Sequence, residues 1–353
     1  MPGKQPQRID SHYNVGIRTI GRYLPSRLVT NDEIAARLPT NSPWIKQRIG
    51  VETRHYSAPD EWSSDLGAHA LLDACEQLGV DPRSIDLVIC GTATADNILP
   101  HTAAAIMFKA GVANGTPGFD VNSGGCPGSI FALDVGAKYV ASGEYSRVAV
   151  VLADVTSKLF DPEDRTVSVI FGDGAACYLL EPTLRGPSIA NAVLHTLPAG
   201  YRSAWAERGT RLDASGQRKT SAFGDNFMTM NGREVWNFVA ENIPGFALDV
   251  LAKEGLTPDD VDFYALHQAN INLVNLVMGS LEQPMSKTVT NIDRIGNTAG
   301  ASVPLVLREA TDSGQLKPGD LVFLLAFGGG LNYGATLVRW CGPDDFVPLA
   351  GQG

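Results

Sequence analysis

The chain has little that would tie it to a membrane, a nucleic acid or an oxidising compartment. No apolar run approaches the roughly 18 residues that a spanning helix needs. Residues 1–10 are polar, so they read as a loose tail, not a secretory signal. A nucleic-acid surface needs a basic stripe, and the net charge here is −10, so neither nucleic acid nor membrane is an expected partner. Only five cysteines occur, Cys75, Cys90, Cys126, Cys177 and Cys341. Their odd number, the absence of a C-x-x-C pair and their mostly apolar settings argue against a disulfide framework and for a reducing, cytoplasmic setting. No cluster of His, Cys, Asp or Glu has metal-ligand spacing and no G-x-S-x-G elbow is present, so no metal is expected.

What is present is a large apolar content organised by alternating periods. Hydrophobic residues make up 44% of 353 positions and charged residues 19%, enough for two domains with ample core. Strands are expected at residues 15–20, 85–91, 117–122, 147–153, 262–266, 288–292, 321–326 and 335–340. Helices are expected at 64–78, 100–110, from 129 onward, 232–253, 271–280 and 303–310. Thr30 to Glu33 reads as a capping box opening a short helix through Leu38. Residues 167–181 read as strand, turn, strand around Gly172-Asp173-Gly174, and residues 200–225 as a loop or irregular cap. The alternation implies an α/β fold with parallel sheets. Two pairs of segments also echo one another, Asp86-Leu87-Val88-Ile89-Cys90 with Asp262-Phe263-Tyr264-Ala265-Leu266, and 174–180 with 334–340. A duplicated unit follows, with residues 1–14 as a tail, 15–184 as one half and 185–353 as the other.

One cysteine stands apart. Cys126 lies between the 117–122 strand and a helix, in Ser123-Gly124-Gly125-Cys126-Pro127-Gly128-Ser129. Pro127 suits a first helical position and the glycines allow a tight turn. A helix N-terminus favours a thiolate, the nucleophilic form. The competing reading is a small buried core residue. A nucleophile needs a partner, and of six histidines only His267 follows a buried strand, where open α/β sheets place ligands. Asn297 sits in a glycine-flanked turn and by itself reads as a turn former. The glycines 328, 330 and 334 do not make a dinucleotide fingerprint, because a strand and not a helix follows them.

Taken together, seven stretches in order resemble the ketoacyl-acyl-carrier-protein synthase III family of thiolase-superfamily condensing enzymes. They are Trp44-Ile45…Arg48…Gly50, Gly125-Cys126-Pro127-Gly128, 161–165 leading to 171–175, Met230-Asn231-Gly232-Arg233-Glu234-Val235, His267-Gln268-Ala269-Asn270, Arg294-Ile295-Gly296-Asn297-Thr298 and Ala326-Phe327-Gly328-Gly329-Gly330. The resemblance implies a thiolase-like fold whose halves form a layered αβαβα core. It implies a Cys126-His267-Asn297 site in which an acyl-CoA acylates Cys126 and a malonyl thioester, on a carrier protein or CoA, condenses with loss of carbon dioxide. The oxyanion would face the N–H groups of Cys126 and Gly329, and His267 and Asn297 would hold the enolate. Trp44 and Arg165 would sandwich the adenine of CoA, Arg48 would lie near its phosphates, and Asn270 is assigned to the substrate side with them. Leu99 stands where family members close the acyl pocket of a dimer mate. Coenzyme A thioesters are then substrates, with no tightly bound cofactor, and a homodimer is expected.

The chain departs from the family run Ala-Ala-Cys-Ala-Gly-Phe at its nucleophile, and Asn272 replaces an arginine associated with carrier docking. A specialised starter-unit role is therefore as open as general fatty-acid initiation. Acyl transfer without condensation, to a hydroxyl, amine or carrier, is the second reading, and a silent scaffold the third.

Overall fold

The structure, a computed structural model, describes residues 14–349 apart from 123, 124, 185–187, 208, 210, 213, 214 and 225. Residues 1–13 of the expected tail and residues 185–187 at the expected boundary between halves lie outside the described residues.

Two sheets carry the same succession of pairings. The first runs Asn14–Tyr23, Gly174–Thr183, Val148–Asp154, Leu87–Gly91, Gly118–Val121, joined antiparallel, antiparallel, parallel and parallel. The second runs Val193–Thr196, Asn332–Arg339, Leu321–Gly328, Phe263–Leu266, joined antiparallel, antiparallel and parallel. The segments that echo one another in the sequence occupy matching places in the two sheets.

Strands buried on both faces read as continuous apolar runs, and both central strands do so. The helices Gly128–Ala141 and Ser302–Asp312 lie between the sheets. Ile130 and Leu133 from one helix, and Val303 and Leu307 from the other, share a core with Ile89, Val150 and Tyr178 of the first sheet and Leu324 and Val338 of the second. Ser63–Leu78 and Thr102–Ala110 cover the first sheet's outer face, and Gly232–Lys253 and Ile271–Ser280 the second's. The five layers are helix, sheet, helix, sheet, helix.

The helix opened at Thr30 ends at Ala35 and not at Leu38, and three larger expectations differ from what forms. Residues 167–171 are not a strand, because Asp164 accepts from the Thr166 N–H at 2.8 Å and caps a short helix, Arg165–Ser168. Residues 200–225 are not wholly irregular. Ala204–Trp205 pairs with Thr229–Met230, and Arg211–Leu212 with Arg218–Lys219. The third difference is at 288–292, the place that matches Gly118–Val121 in the first sheet. No strand forms there, since side chains take the acceptors a ladder would use. Thr288 Oγ1 donates to the Tyr264 carbonyl and Gln268 Nε2 to the Val289 carbonyl, both at 2.7 Å. Gln268 Oε1 also accepts from the Asn291 and Ile292 N–H groups at 3.0 and 3.1 Å.

Gln268→Ala leaves two buried N–H groups without partners and the Val289 carbonyl with only a long 3.4 Å bond from Thr288 Oγ1, a cost of about 2–4 kcal/mol. The variant should melt several degrees lower and exchange amide protons faster at 288–295. Unchanged exchange there would show that Gln268 does not hold the segment.

Candidate active site

Cys126 follows the strand Gly118–Val121 in the chain and sits within a tight turn in which the Gly128 N–H donates to the Gly125 carbonyl at 2.8 Å. Gly125 has φ +78°, a conformation that favours glycine. The helix starts at Gly128, so Pro127 is its N-cap and not its first residue. His267 continues its own strand, its N–H donating to the Leu325 carbonyl at 2.8 Å. Its ring is buried and meets Phe327 edge-on, with centroids 5.3 Å apart.

Asn297 belongs to the C-terminal half but is placed by the N-terminal one. Its N–H donates to the Ile170 carbonyl at 2.9 Å, and its carbonyl accepts from the Gly172 N–H at 3.0 Å. Such close approach needs glycine. A Cβ on Gly172 would lie 2.2 Å from the Ile295 carbonyl oxygen. The side-chain oxygen of Asn297 accepts from the Ala299 N–H at 2.9 Å, which leaves its amide nitrogen to donate to the Cys126 thiol.

Cys126, His267, Asn297 and Gly329 line one cavity of about 350 Å3, whose apolar wall includes Leu159, Phe171, Trp205, Met228 and Met230. Its electrostatics differ from the expectation at the thiol. Burial pushes Cys126 up to about 12, and the Asp154 carboxylate adds to this, against smaller opposing effects of the Asn297 amide and its own N–H. The resting group is a thiol, because desolvation outweighs the field of a helix that begins two residues later. Burial lowers His267 to about 3, so its imidazole is neutral. Neither ring nitrogen has a hydrogen-bond partner among the described residues, and none of these fixes the tautomer.

The remaining expected residues are not all brought to this cavity. Gly329 is there, while Trp44, Arg48, Arg165, Asn270 and Leu99 are absent from its wall. Arg165 stacks on Trp44 with its guanidinium carbon 5.0 Å from the ring centre. A ring between them needs two van der Waals gaps, about 7–8 Å, so adenine could enter only by displacing Arg165. Arg48 is exposed. Asn270 caps the Ile271–Ser280 helix and donates to the Arg48 carbonyl at 2.9 Å, as does Asn272. Leu99 is 83% exposed.

Asp154 is a participant that sequence reasoning missed, although an acidic residue ending an apolar strand was its signal. Its Oδ1 accepts from the Ala93 N–H at 2.8 Å and from Thr92 and Thr94 hydroxyls at 3.2 and 3.1 Å, and its Oδ2 from the Gly300 N–H at 3.3 Å. Burial raises it to about 6 despite these bonds, so it is charged at neutral pH.

A five-layered duplicated α/β core with a cysteine, a neutral histidine and an asparagine on one cavity defines a thiolase-like acyltransferase. Comparison with known proteins gives the narrower group. Residues 119–198 match the family described as 3-oxoacyl-[acyl-carrier-protein (ACP)] synthase III, and residues 251–340 the C-terminal family of the same enzyme. A beta-ketoacyl-[acyl-carrier-protein] synthase III of Deinococcus deserti is 37% identical, over 94% of this chain and 93% of that one. The solved synthase III of Thermus thermophilus is 34% identical, with TM-score 0.85 over 93% of this chain and 99% of its own. The priming beta-ketosynthase from the R1128 polyketide biosynthetic pathway is 29% identical, with TM-score 0.86 over 96% and 100%. The chain belongs to the 3-oxoacyl-[acyl-carrier-protein] synthase III family, and it is a condensing acyltransferase of that kind.

A thiol near 12 makes a pH-dependent reagent. Alkylation of Cys126 by iodoacetamide, followed by peptide mass, should climb about tenfold per pH unit from 7 to 9, because the thiolate fraction does so below the pKa. Asp154→Asn removes a charge that opposes the thiolate and should raise the rate at any fixed pH above 6. A wild-type plateau near pH 8 would refute the raised thiol.

Proposed function

We propose that an acyl-CoA acylates Cys126 and that the acyl group is then attacked by the carbanion of a decarboxylating malonyl thioester. The observation that carries this reading is the convergence of Cys126, Gly329, Asn297 and a neutral His267, unpartnered among the described residues, on the wall of one cavity. In the first half-reaction the Cys126 sulfur bonds to the acyl carbon, the CoA sulfur leaves, and the thiol proton departs with it as CoA–SH. The N–H groups of Cys126 and Gly329 receive the oxyanion, a contribution of about 10²–10³ in rate per donor. In the second, loss of carbon dioxide from the malonyl thioester leaves an enolate whose oxygen accepts from an N–H of His267 and from the Asn297 amide. The enolate carbon attacks the acyl carbon, and Cys126 leaves as thiolate and regains a proton.

Transfer without condensation is less well supported, since it needs no pair of enolate donors. Trp44, Arg48 and Arg165 are proposed CoA contacts outside the cavity, and Asn270 acts through Arg48. The malonyl group arrives on an acyl carrier protein or CoA, with no tightly bound cofactor, in the cytoplasm. Among the described residues no helix is long and apolar enough to cross a membrane.

A second copy is the proposed cover for the edge strand Gly118–Val121 and the region beside it. Ile98, Leu99 and Phe108 are 78%, 83% and 88% exposed there, and both a free sheet edge and exposed apolar side chains favour association. Leu99 would then reach the mate's acyl site.

Cys126→Ala should acquire no acyl mass from a panel of acyl-CoAs, and the wild-type enzyme should release labelled carbon dioxide from a malonyl thioester. A variant that still gains the acyl mass removes the nucleophile, and acylation without carbon dioxide release removes condensation. Leu99→Asp should shift the sedimenting species from dimer toward monomer, and an unchanged dimer would place the interface elsewhere.

A further inference from the structure

The triple glycine that presents Gly329 is held by Asn332, a residue that the reading of the sequence passed over. The Gly329 carbonyl accepts twice from it, once from the Asn332 backbone N–H and once from Asn332 Nδ2 at 2.8 Å. Behind it, Thr196 Oγ1 donates to Asn332 Oδ1 at 2.6 Å, from the position opposite Asn332 in the antiparallel ladder. The turn is pinned on its other side too. Leu331 and Leu197 exchange both backbone hydrogen bonds, at 3.1 and 2.7 Å.

Gly330 fits around this clamp. Its φ is +126°, and a Cβ there would lie 2.3 Å from Asn332 Nδ2, so the amide fills the space that a side chain would need. Asn332 also lines the cavity that holds Cys126, His267, Asn297 and Gly329. Three consecutive glycines have the widest backbone freedom a chain can offer. An oxyanion donor must nevertheless stay within about 0.5 Å and 10–20° of its productive geometry. Some group has to remove that freedom, and the Asn332 side chain bonds the donor residue directly.

We propose that Asn332, backed by Thr196, is a positioning residue that keeps the Gly329 N–H aimed at the carbonyl oxygen of the Cys126 acyl thioester. This rests on the reading of Cys126 as nucleophile and Gly329 as oxyanion donor. Charge on that oxygen grows only as the tetrahedral intermediate forms, so the clamp acts on turnover and not on binding of acyl-CoA.

The test is single-turnover acylation by acyl-CoA, read by intact mass across substrate concentration. Asn332→Ala removes the donor without adding charge, and Asn332→Asp removes it while keeping the shape and the Thr196 bond. Both should acylate about 10- to 100-fold more slowly, less than the loss of the donor itself, and half-saturate within about twofold of wild type. Thr196→Val, which keeps both bonds to Gly329, should slow acylation about 3- to 10-fold and carries the test if the Asn332 variants fail to fold.

Acylation at the wild-type rate by Asn332→Asp or by Asn332→Ala overturns the proposal. So does a rise in half-saturation at unchanged maximal rate, which would make Asn332 a substrate contact. Cys126→Ala, run beside them, separates the two layers. If it takes up no acyl group while the Asn332 variants react normally, only the clamp fails. If it is acylated, the nucleophile assignment fails with it.

Discussion

The two hydrogen bonds by which the 170–172 segment holds the Asn297 peptide are the constraint on which the site depends. They cross from one half of the chain to the other, and they form only because Gly172 presents no side chain to the Ile295 carbonyl. Without that approach Asn297 would remain a turn former attached to its own half. With it, the amide nitrogen reaches the thiol of the opposite half, and Gly300, three residues on, reaches Asp154. The sheets and the paired central helices bring the halves near one another, and this contact sets their relative position at the site.

The duplication shows where that constraint came at the expense of regularity. In the first half, a fifth strand, Gly118–Val121, leads to Cys126. In the second, the corresponding chain gives up its ladder, and Gln268 and Thr288 occupy its acceptors. Gln268 follows His267 directly and caps the turn that leads to Asn297, so one buried amide links the two residues proposed to hold the enolate. A regular strand at 288–292 would have left these side chains nothing to bind there.

The same contrast explains what could be read from residue order. Strands such as Val148–Asp154 and Leu321–Gly328 were legible because burial on both faces writes an unbroken apolar run. The Cys126, His267 and Asn297 set was legible through ordered motifs and not through any residue alone. Residues 288–292 have strand character, and nothing local says that distant side chains will replace the ladder. The 167–171 segment is apolar enough for a strand, but Asp164 ends the ambiguity by capping a helix. Asp154 acts through contacts 60 to 146 residues away, distances over which no periodicity carries information, and although Asn332 grips Gly329 only three residues back, the Thr196 that backs it lies 136 residues away. The thiol was misjudged for a different reason. A helix N-terminus is visible in a sequence, whereas the desolvation that opposes it depends on how tightly the rest of the chain closes.

That closure sets the energetics of the first step. With Cys126 pushed up to about 12, the thiolate at pH 7 lies about 7 kcal/mol above the thiol. A helix N-terminus returns about 0.3–1 kcal/mol, about 2 at best. His267, lowered to about 3, is no base at that pH. Activation at rest is thus closed to this enzyme, but an ordinary turnover of about 10 per second already implies a barrier of roughly 16 kcal/mol, within which 7 can be met. In the proposed mechanism the negative charge passes from sulfur to the substrate's carbonyl oxygen as the bond forms, and the donors at Cys126 and Gly329 meet it there. The low polarity that penalises the thiolate strengthens those hydrogen bonds and keeps the imidazole neutral for the enolate that follows. A free thiolate at rest would need a more polar surrounding, and its negative charge beside the ring would favour the charged imidazole over the neutral one that the proposed condensation uses.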